Sequence, residues 1–405
     1  MQFLARHALE KDMKENILSI SKKAREAKKI NNKVIDGTVG MILNEDLNLY
    51  KYSVVEKLLK DLKDEENYFY APTGGEKNFK DAVLKWVFND SDSLKNYFVD
   101  VIPTPGASGA LSNAIFNYVN KNESILISEY FWDAYTNMAL DVEINVETFK
   151  EFTIDYKFNL PSFKSKVKEL ISKQNKLFYL LNDPCNNPTG YSLTLEDVKG
   201  IVKVLNEASK KVPVVLLLDI AYFDYTDRKL VLEKFNYILD NLENVLFLVA
   251  ASGSKSFSLY GYRIGAVIGL SKNKVDIDDF NRVMIHSARS RWSCVSRPGI
   301  SVIEKIFNDK KNQEEYFREL NKANEMLKAR VKMFNLSAKK YGLKTIPYGG
   351  GFFIAFESEK EDILDELKKD NVYVIKLGKI IRIAISSVSL LQIDELVQIL
   401  KKHQD

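Results

Sequence analysis

The sequence predicts an α/β protein that has a large domain with a mostly parallel, doubly wound sheet and a smaller α+β domain. Between residues 98 and 270, short runs of Val, Ile and Leu alternate with amphipathic helical patterns. Continuous apolar runs bounded by turn residues are typical of strands that are buried on both faces. After about residue 300 the alternation ends, and a long charged helical pattern is followed by short strands and a final helix. These two patterns predict two domains.

The predicted strands of the large domain lie between turn sequences, and an amphipathic stretch at 193–210 is predicted to be a crossover helix. Ligands bind sheets of this kind at the carboxyl ends of the strands. Asn187, Asp219 and Lys255 lie at or just after the ends of such runs, so we expect the functional site there. The predicted strands are residues 98–102, 124–128, 177–181, 212–219, 245–250 and 264–269.

The chain is long enough for more than one core, since it has 405 residues and single cores seldom grow beyond roughly 250–300 residues. We expect residues 1–60 to form an N-terminal arm and part of the small domain. Residues 61–300 would form the large domain and residues 301–405 the C-terminal small domain. The first 60 residues are predicted to be largely helical, with a strand and turn at 34–40.

The composition excludes several classes of protein. The 59 basic and 55 acidic side chains give a net charge of +4 and are spread along the chain, which argues against a dedicated nucleic-acid or membrane-surface binder. Cys185 and Cys294 form no disulfide framework, so a reducing, cytoplasmic location is expected. His7, His286 and His403 are too scattered for a zinc site, and we expect no metal. We also expect neither a secretion signal nor a membrane helix.

Four kinds of side chain occur in the order that pyridoxal phosphate (PLP) binding needs. Lys255, in the run Ser-Gly-Ser-Lys-Ser, offers an amine for the cofactor aldehyde, and Arg263 offers a guanidinium for its phosphate. Asp219 ends an apolar run and offers a carboxylate for the ring nitrogen. Asn187 and Tyr222 offer donors for the phenolic oxygen. In this order and spacing the chain resembles the fold-type I, class I aminotransferases of the aspartate and aromatic type.

Lys255, Asp219 and Tyr222 are the predicted catalytic residues. Burial beside other cations lowers the pKa of a lysine, and the neutral amine can then bond the cofactor and later move the α-proton of the substrate. Asp219 would keep the ring nitrogen protonated, which makes the ring an electron sink. Tyr222 would donate to the phenolic oxygen together with Asn187.

The resemblance implies further contacts with the cofactor. A small-residue turn at 105–110 opens a helix, and such turns favour anions. Trp132 would stack on the ring, a role that Tyr130 or Phe131 could take if the alignment shifts. Tyr70 would reach the phosphate of the partner subunit's cofactor, which implies a homodimer with shared sites. The residues that would join Arg263 on the phosphate are Ala107, Ser108 and Ser252.

An arginine within an apolar strand indicates where the substrate binds. Arg382 lies in the run Ile-Ile-Arg-Ile-Ala-Ile, and a buried arginine needs an anionic partner. The resemblance implies that Arg382 clamps the substrate α-carboxylate, and that Gly40, Asn187 and Phe353 line the same pocket.

The choice of amino donor depends on a second arginine. Aligning Trp292 and Gly299 with the family pattern places Arg289 where dicarboxylate-using members have that arginine, whereas a two-residue shift would select Arg291. The sequence Cys-Val-Ser at 294–296 departs from the usual Asn-Pro-Pro, so aromatic amino acids also remain possible donors.

The resemblance implies a PLP-dependent aminotransferase of amino-acid metabolism. It would move the amino group of a dicarboxylic or aromatic L-amino acid to a 2-oxo acid, such as 2-oxoglutarate, by a ping-pong mechanism. The alternatives are a PLP-dependent carbon–sulfur lyase or decarboxylase on the same fold, or a non-catalytic ligand-binding relative.

Overall fold

The computed structural model describes residues 3–5, 8, 9, 11 and 17–404 of the chain, so His7 lies outside the described residues. The chain divides into two compact units. The large unit comprises Lys51–Pro184 and Leu193–Glu319, and the small unit comprises Met1–Tyr50, Cys185–Ser192 and Leu320–Asp405. The domain limits at residues 60 and 300 stay a prediction.

The strands and helices follow the predicted alternation. The strands are β1 (Ile35–Asp36), β2 (Phe98–Thr104), β3 (Ser124–Ser128), β4 (Asn145–Phe149), β5 (Leu177–Asn182), β6 (Val214–Asp219), β7 (Val245–Ser252), β8 (Gly265–Ser271), β9 (Phe353–Glu357), β10 (Val372–Tyr373), β11 (Ile375–Leu377) and β12 (Ile380–Ala384). The helices are α1 (Ile17–Ile30), α2 (Ser53–Lys60), α3 (Asp64–Asn67), α4 (Lys77–Phe88), α5 (Gly106–Tyr118), α6 (Ala134–Asp141), α7 (Leu160–Lys173), α8 (Leu195–Ser209), α9 (Arg228–Asn241), α10 (Gly253–Ser256), α11 (Lys274–Arg291), α12 (Arg297–Phe307), α13 (Lys310–Tyr341), α14 (Ile363–Lys369) and α15 (Ile393–Gln404).

The large unit contains a seven-stranded sheet with the order β2-β8-β7-β6-β5-β3-β4. Strands β3 to β7 are mutually parallel, and β8 runs antiparallel to both β2 and β7. The predicted α/β class with a mostly parallel sheet is confirmed. All six residues of β6 are buried, which explains its continuous run of Val and Leu. The edge strand β4 was not predicted, because its sequence Asn-Val-Glu-Thr-Phe lacks an apolar run.

The parallel strands bring several predicted site positions to one edge of this sheet. Asp219 is the last residue of β6 and is paired with Asn182 of β5 and Ala250 of β7. β7 ends at Ser252 and leads directly into α10, which carries Lys255. The apolar face of α5 packs against the sheet in one core cluster with residues of α11. The packed helices therefore support the ends of the strands that carry Asp219 and Ser252.

The small unit contains an antiparallel sheet with the order β11-β12-β9 and a parallel pair formed by β1 and β10. The prediction that the first 60 residues are largely helical is wrong for residues 41–52, whereas β1 lies within the predicted strand and turn at 34–40. β1 lies there because its backbone pairs with Val372 and Tyr373. Arg330 is fully buried and donates to the carbonyl oxygens of Leu43 and Ser386, both at 2.8 Å, which holds the segment that follows β1.

The described residues contain no helix that is both long and apolar enough to span a membrane. Within the same part of the chain, no three His, Cys, Asp or Glu side chains are grouped so that they could hold a metal ion.

Candidate active site

Lys255 lies on α10, the single helical turn that follows β7, and is partly buried. Its ammonium is 5.5 Å from the centre of the Tyr222 ring, and its backbone carbonyl accepts a hydrogen bond of 2.7 Å from the Tyr225 hydroxyl. Burial lowers the pKa of Lys255 from 10.5 to about 8; the Asp219 carboxylate opposes this shift and the Arg263 guanidinium adds to it. A lysine with such a pKa has a substantial neutral fraction near pH 8 and can act as a nucleophile.

Asp219 is the partner charge at the end of β6, and its side chain is 3% exposed. The Tyr135 hydroxyl donates to its Oδ2 at 2.7 Å, and the backbone N–H of Ala221 donates to its Oδ1 at 3.0 Å. Burial raises the pKa of Asp219, whereas these hydrogen bonds and the Lys255 charge lower it. Both carboxylate oxygens therefore have fixed donors, and the group can hold a proton on a nearby heterocycle.

Tyr135 is a candidate site residue that sequence reasoning missed. It lies on α6, is 1% exposed, and packs edge-on against Trp132 with ring centres 5.7 Å apart. The available signal was its spacing of three residues from Trp132, which places both side chains on one side of a helical turn. Nothing local indicated its contact with Asp219, which is 84 residues away in the chain.

The residues that were predicted to bind the phosphate lie beside the start of α5. Arg263 Nη1 donates to Ser254 Oγ at 2.9 Å and to the carbonyl oxygen of Tyr260 at 3.1 Å. Gly106 has a φ of +69°, and a Cβ at this position would lie 2.8 Å from Arg263 Nη2, so only glycine lets the guanidinium approach so closely. Ala107 and Ser108 form the first turn of α5, where backbone N–H groups favour an anion.

Two serines precede Lys255. Ser252, which was predicted to bind the phosphate, is buried as the last residue of β7, and its role stays a prediction. Ser254 is 1% exposed, and it is the serine that accepts the hydrogen bond from Arg263. Sequence reasoning did not select Ser254, although its position next to Lys255 in a run of hydroxyls was a signal.

The remaining predicted residues of the large unit lie in more exposed places. Trp132 is half-buried against the core, whereas Tyr70 is 92% exposed. Arg289 is exposed and donates to Ser293 Oγ. Arg291 is more enclosed, since it donates to Ser112 Oγ at 2.9 Å and lies 4.0 Å from the centre of the Phe116 ring.

Arg382 is a buried arginine of the small unit. It lies in the middle of β12, is 2% exposed, and stacks 4.4 Å from the centre of the Phe353 ring. Its Nη1 donates to Asn187 Oδ1 at 3.0 Å, and its Nη2 donates to the carbonyl oxygen of Thr38 at 2.9 Å. The structure thus brings three predicted residues together, and Gly40 follows Thr38 by two positions. These neighbours are neutral, so an incoming carboxylate would add an opposite charge.

The segment Asn187-Pro188-Thr189-Gly190 forms the predicted turn. The N–H of Gly190 donates to the carbonyl oxygen of Asn186 at 2.7 Å, and the Thr189 hydroxyl donates to Asn186 Oδ1 at 2.8 Å. Gly190 has a φ of +71°, and a Cβ there would lie 2.0 Å from the carbonyl oxygen of Phe353. The turn therefore requires glycine, and the close approach holds Asn187 beside Arg382.

The side chains of the large unit fit PLP. A partly buried lysine with a lowered pKa can bond its aldehyde, and a buried carboxylate with two donors of its own can face its ring nitrogen. The Arg263 guanidinium lies close to Gly106 at the start of α5, and this position suits the phosphate of PLP. Nothing in this set requires a metal.

Comparisons with known proteins agree with this chemistry. Residues 40–400 match the family described as aminotransferase class I and II. The chain is similar to the crystal structure of an aminotransferase from Anaerococcus prevotii DSM 20548, with 31% identity, a TM-score of 0.95 and 100% coverage of both chains.

Two curated relatives match more distantly. The aspartate aminotransferase of Pseudomonas aeruginosa is 25% identical over 343 residues, which cover 82% of this chain and 83% of that protein. The aromatic-amino-acid aminotransferase of Paracoccus denitrificans is 24% identical over 265 residues, and the match covers 64% of each chain.

Proposed function

The chain belongs to the aminotransferase class I and II family, a family of PLP-dependent transaminases, and from that premise we propose its reaction. It transfers the amino group of a dicarboxylic or aromatic L-amino acid to a 2-oxo acid, such as 2-oxoglutarate, in two half-reactions of a ping-pong cycle. The observation that carries this proposal is the pair formed by the partly buried Lys255 and the buried Asp219 at adjacent strand ends, each of which shifts the pKa of the other.

Lys255 is the proposed acid and base of the reaction. When bound, PLP accepts the amino group and delocalises electrons from the α-carbon of the substrate. The ε-amine of Lys255 takes the proton from that carbon and then donates it to a second atom of the bound substrate and cofactor. Both transfers require a pKa of the amine near the working pH. The lowered pKa of about 8 suits this exchange.

Asp219 and Tyr135 act together in this proposal. A carboxylate that faces the ring nitrogen keeps it protonated, and the nitrogen in turn relieves the cost of burying Asp219. The Tyr135 hydroxyl holds one carboxylate oxygen at 2.7 Å and the N–H of Ala221 holds the other at 3.0 Å, so the orientation of the carboxylate is fixed. Tyr222, beside Lys255, is proposed to donate to the phenolic oxygen, together with Asn187.

The phosphate is assigned to Arg263, Ser254, Ser252 and the first turn of α5, which contains Ala107 and Ser108. A guanidinium can place two parallel hydrogen bonds on phosphate oxygens. The hydrogen bond from Arg263 to Ser254 orients the guanidinium before an anion arrives. Trp132 is proposed to stack on the cofactor ring.

Arg382 is proposed to bind the α-carboxylate of the substrate. Because its guanidinium is held by Asn187 and Thr38 and stacked on Phe353, its orientation is fixed before the substrate arrives. A rigid guanidinium can form two parallel hydrogen bonds with one carboxylate. Gly40 and Phe353 are proposed to line the same pocket.

The distal carboxylate of an acidic substrate is assigned to Arg289. This arginine is exposed, whereas Arg291 is engaged with Ser112 and Phe116. The two curated relatives are named for aspartate and for aromatic amino acids, which is the same pair of donors.

We also propose a homodimer in a cytoplasmic location. Tyr68, Phe69 and Tyr70 are consecutive aromatic residues that are 77%, 62% and 92% exposed, and such a surface is costly in water unless a partner covers it. In this assembly Tyr70 would reach the cofactor of the other subunit. Neither Cys185 nor Cys294 forms a disulfide within the described residues, which favours a reducing compartment.

A spectroscopic half-reaction tests the proposed activity. An L-amino acid added alone to the holoenzyme should convert the cofactor absorbance completely, and a 2-oxo acid should restore it. A carbon–sulfur lyase or a decarboxylase would instead release product continuously without any 2-oxo acid. A screen of amino donors against 2-oxoglutarate would then rank aspartate, glutamate and the aromatic amino acids.

A further inference from the structure

A cavity lies in the large unit at the strand ends opposite the Lys255 site. It has a volume of about 470 Å³ and is bordered by the first residues of β6 and β7 and the last residue of β8, which are Val214, Val245 and Ser271. β6 runs from Val214 to Asp219, so the cavity is roughly 17 Å from Asp219 at about 3.3 Å per residue. Its volume is typical of small-molecule sites.

Two ammonium groups border this cavity without a counter-charge. Lys176 Nζ donates to the carbonyl oxygen of Tyr118 at 3.0 Å, and Lys272 Nζ donates to the carbonyl oxygen of Leu242 at 2.8 Å. Neither lysine forms an ion pair with any carboxylate of the described residues. An ammonium has three donors, so each retains donors for a ligand after its contact with the backbone. The two lysines therefore favour an anionic group.

A carboxylate of the same cavity also lacks a counter-charge. Asp276 accepts a hydrogen bond of 2.6 Å from Ser271 Oγ and one of 3.4 Å from Asn273 Nδ2, and within the described residues no cation pairs with it. The buried hydroxyl of Tyr118 has no hydrogen-bond partner in that part of the chain either. Burial raises the pKa of Tyr118, and Asp279 and Asp276 add to this shift. This side of the cavity therefore favours a cationic donor.

The rest of the wall is mostly apolar, and its polar members are Asn244 and Asp279, whose carboxylate pairs with Arg282 at 2.6 Å. Pro213, Val214, Leu242 and Leu246 line the cavity together with the Tyr97 ring, which lies 5.4 Å from the Lys272 ammonium. Such walls bury the hydrocarbon part of a ligand while a few polar groups orient it.

We propose that this cavity binds a free α-amino acid with an apolar side chain. Lys176 and Lys272 would bind its carboxylate, Asp276 would bind its ammonium, and the apolar wall would cover its side chain. A simple anion would leave Asp276 uncompensated, and a simple cation would face two lysines. The zwitterion satisfies both signs. This binding site is distinct from the proposed reaction and does not depend on it.

Calorimetric titration with L-phenylalanine tests the proposal. The titrated protein is the Arg382→Ala holoenzyme after borohydride reduction. The reduction prevents the cofactor from reacting with the amino acid, and the substitution removes the proposed site for the substrate α-carboxylate. We expect about one equivalent to bind with a Kd of about 1 mM, as is usual for a ligand of this size. Adding Lys176→Met and Lys272→Met, or Asp276→Asn, should raise the Kd at least about tenfold, which corresponds to one lost charged contact. The matched pair Lys203→Met and Lys332→Met, both exposed lysines, should leave it unchanged.

Two analogues test the requirement for both charges. 3-Phenylpropionate lacks the ammonium and 2-phenylethylamine lacks the carboxylate, and each should bind at least about tenfold more weakly than L-phenylalanine. The lysine variants in an otherwise unchanged chain should keep full turnover, which shows that they fold. Absence of binding to the Arg382→Ala protein, an unchanged Kd in the lysine pair, or equal binding of either analogue overturns the proposal. None of these outcomes bears on the roles of Lys255 and Arg382.

Discussion

The two units hold their functional charges in different ways. In the large unit, Lys255 and Asp219 are opposite charges at neighbouring strand ends, and each affects the pKa of the other. In the small unit, the Arg382 guanidinium donates hydrogen bonds to the neutral oxygens of Asn187 and Thr38. A pair with shifted pKa values can exchange protons, whereas an arginine keeps its charge at all working pH values. The difference supports the proposal that the large unit carries proton transfer and the small unit carries the substrate anchor.

The backbone supports follow the same division. Lys255 lies on a four-residue helix after β7, so its position depends on the end of one strand. Arg382 lies within β12 and is paired with Ala355 of β9 on one side and Ile375 of β11 on the other. A residue in the centre of a sheet has little freedom, which suits a group whose task is to orient a substrate.

Replacing the proton-transfer residue should have the largest effect. Lys255→Ala removes the amine that bonds the cofactor and moves the proton, so we expect turnover to fall by about 10⁴-fold or more, since general acid–base catalysis alone contributes about 10²–10⁴-fold. The protein should remain folded and should still bind PLP. Steady-state kinetics and circular dichroism check this, with Lys203→Ala on the exposed face of α8 as the control. Full activity of Lys255→Ala would remove the assignment of proton transfer to the large unit.

Removing the anchor should have the second largest effect. Arg382→Leu should lower kcat/KM for amino acids by about 10²–10³-fold, because the loss of a buried charged contact costs about 2–5 kcal/mol. Arg382→Lys keeps the charge but not the planar fork, so its activity should lie between the two. The cofactor absorbance should stay normal in both variants, and a changed absorbance would contradict the separation of the two tasks.

The pH dependence of cofactor capture should report on Lys255 alone. Because its pKa is lowered from 10.5 to about 8, the amine is mostly protonated and unreactive below pH 8 and mostly neutral above it. The rate of PLP incorporation into the apoenzyme, followed by stopped-flow absorbance, should rise about 50-fold from pH 6 to pH 8 and then level off. A rate that keeps rising steeply to pH 10 would show an unshifted lysine.

The Tyr135 contact should have a moderate effect. Tyr135→Phe removes the hydrogen bond that lowers the pKa of Asp219, so that pKa should rise. The acidic limb of the pH profile of kcat/KM should then move to higher pH, and kcat/KM should fall by about tenfold or more, as expected for a hydrogen bond to a charged group.

Tyr179→Phe is the matched control for this contact. Tyr179 is equally buried in the same unit, and its hydroxyl has no hydrogen-bond partner among the described residues. Identical pH profiles for the Tyr135 and Tyr179 variants would mean that Tyr135 has only a packing role.

The smallest effect concerns substrate choice. Arg289→Leu should lower the preference for aspartate over phenylalanine, measured as the ratio of kcat/KM values, by about fivefold, because exposed ion pairs contribute little. Arg291→Leu should leave this ratio unchanged. If the ratio changes only in the Arg291 variant, the distal arginine lies two residues further along the chain, and an unchanged ratio in both variants removes this role from the segment.

Local patterns were sufficient for the main strands and for the ends that carry Asp219 and Lys255, because a buried parallel strand needs a continuous apolar run and its end is marked by polar residues. β4 was missed because an edge strand needs no such run. The hydrogen bond from Tyr135 to Asp219 and the carbonyl of Thr38 beside Arg382 could not be predicted. Both join residues that are distant in the chain, and no local periodicity encodes such contacts.

The covalent attachment of PLP tests the central claim most directly. Borohydride reduction of the holoenzyme, followed by proteolysis and mass spectrometry, identifies the side chain that bonds the cofactor aldehyde. One phosphopyridoxyl group on Lys255 is the expected result. A label on any other lysine, or no label on a protein that has bound PLP, would contradict the assignment of the large-unit site.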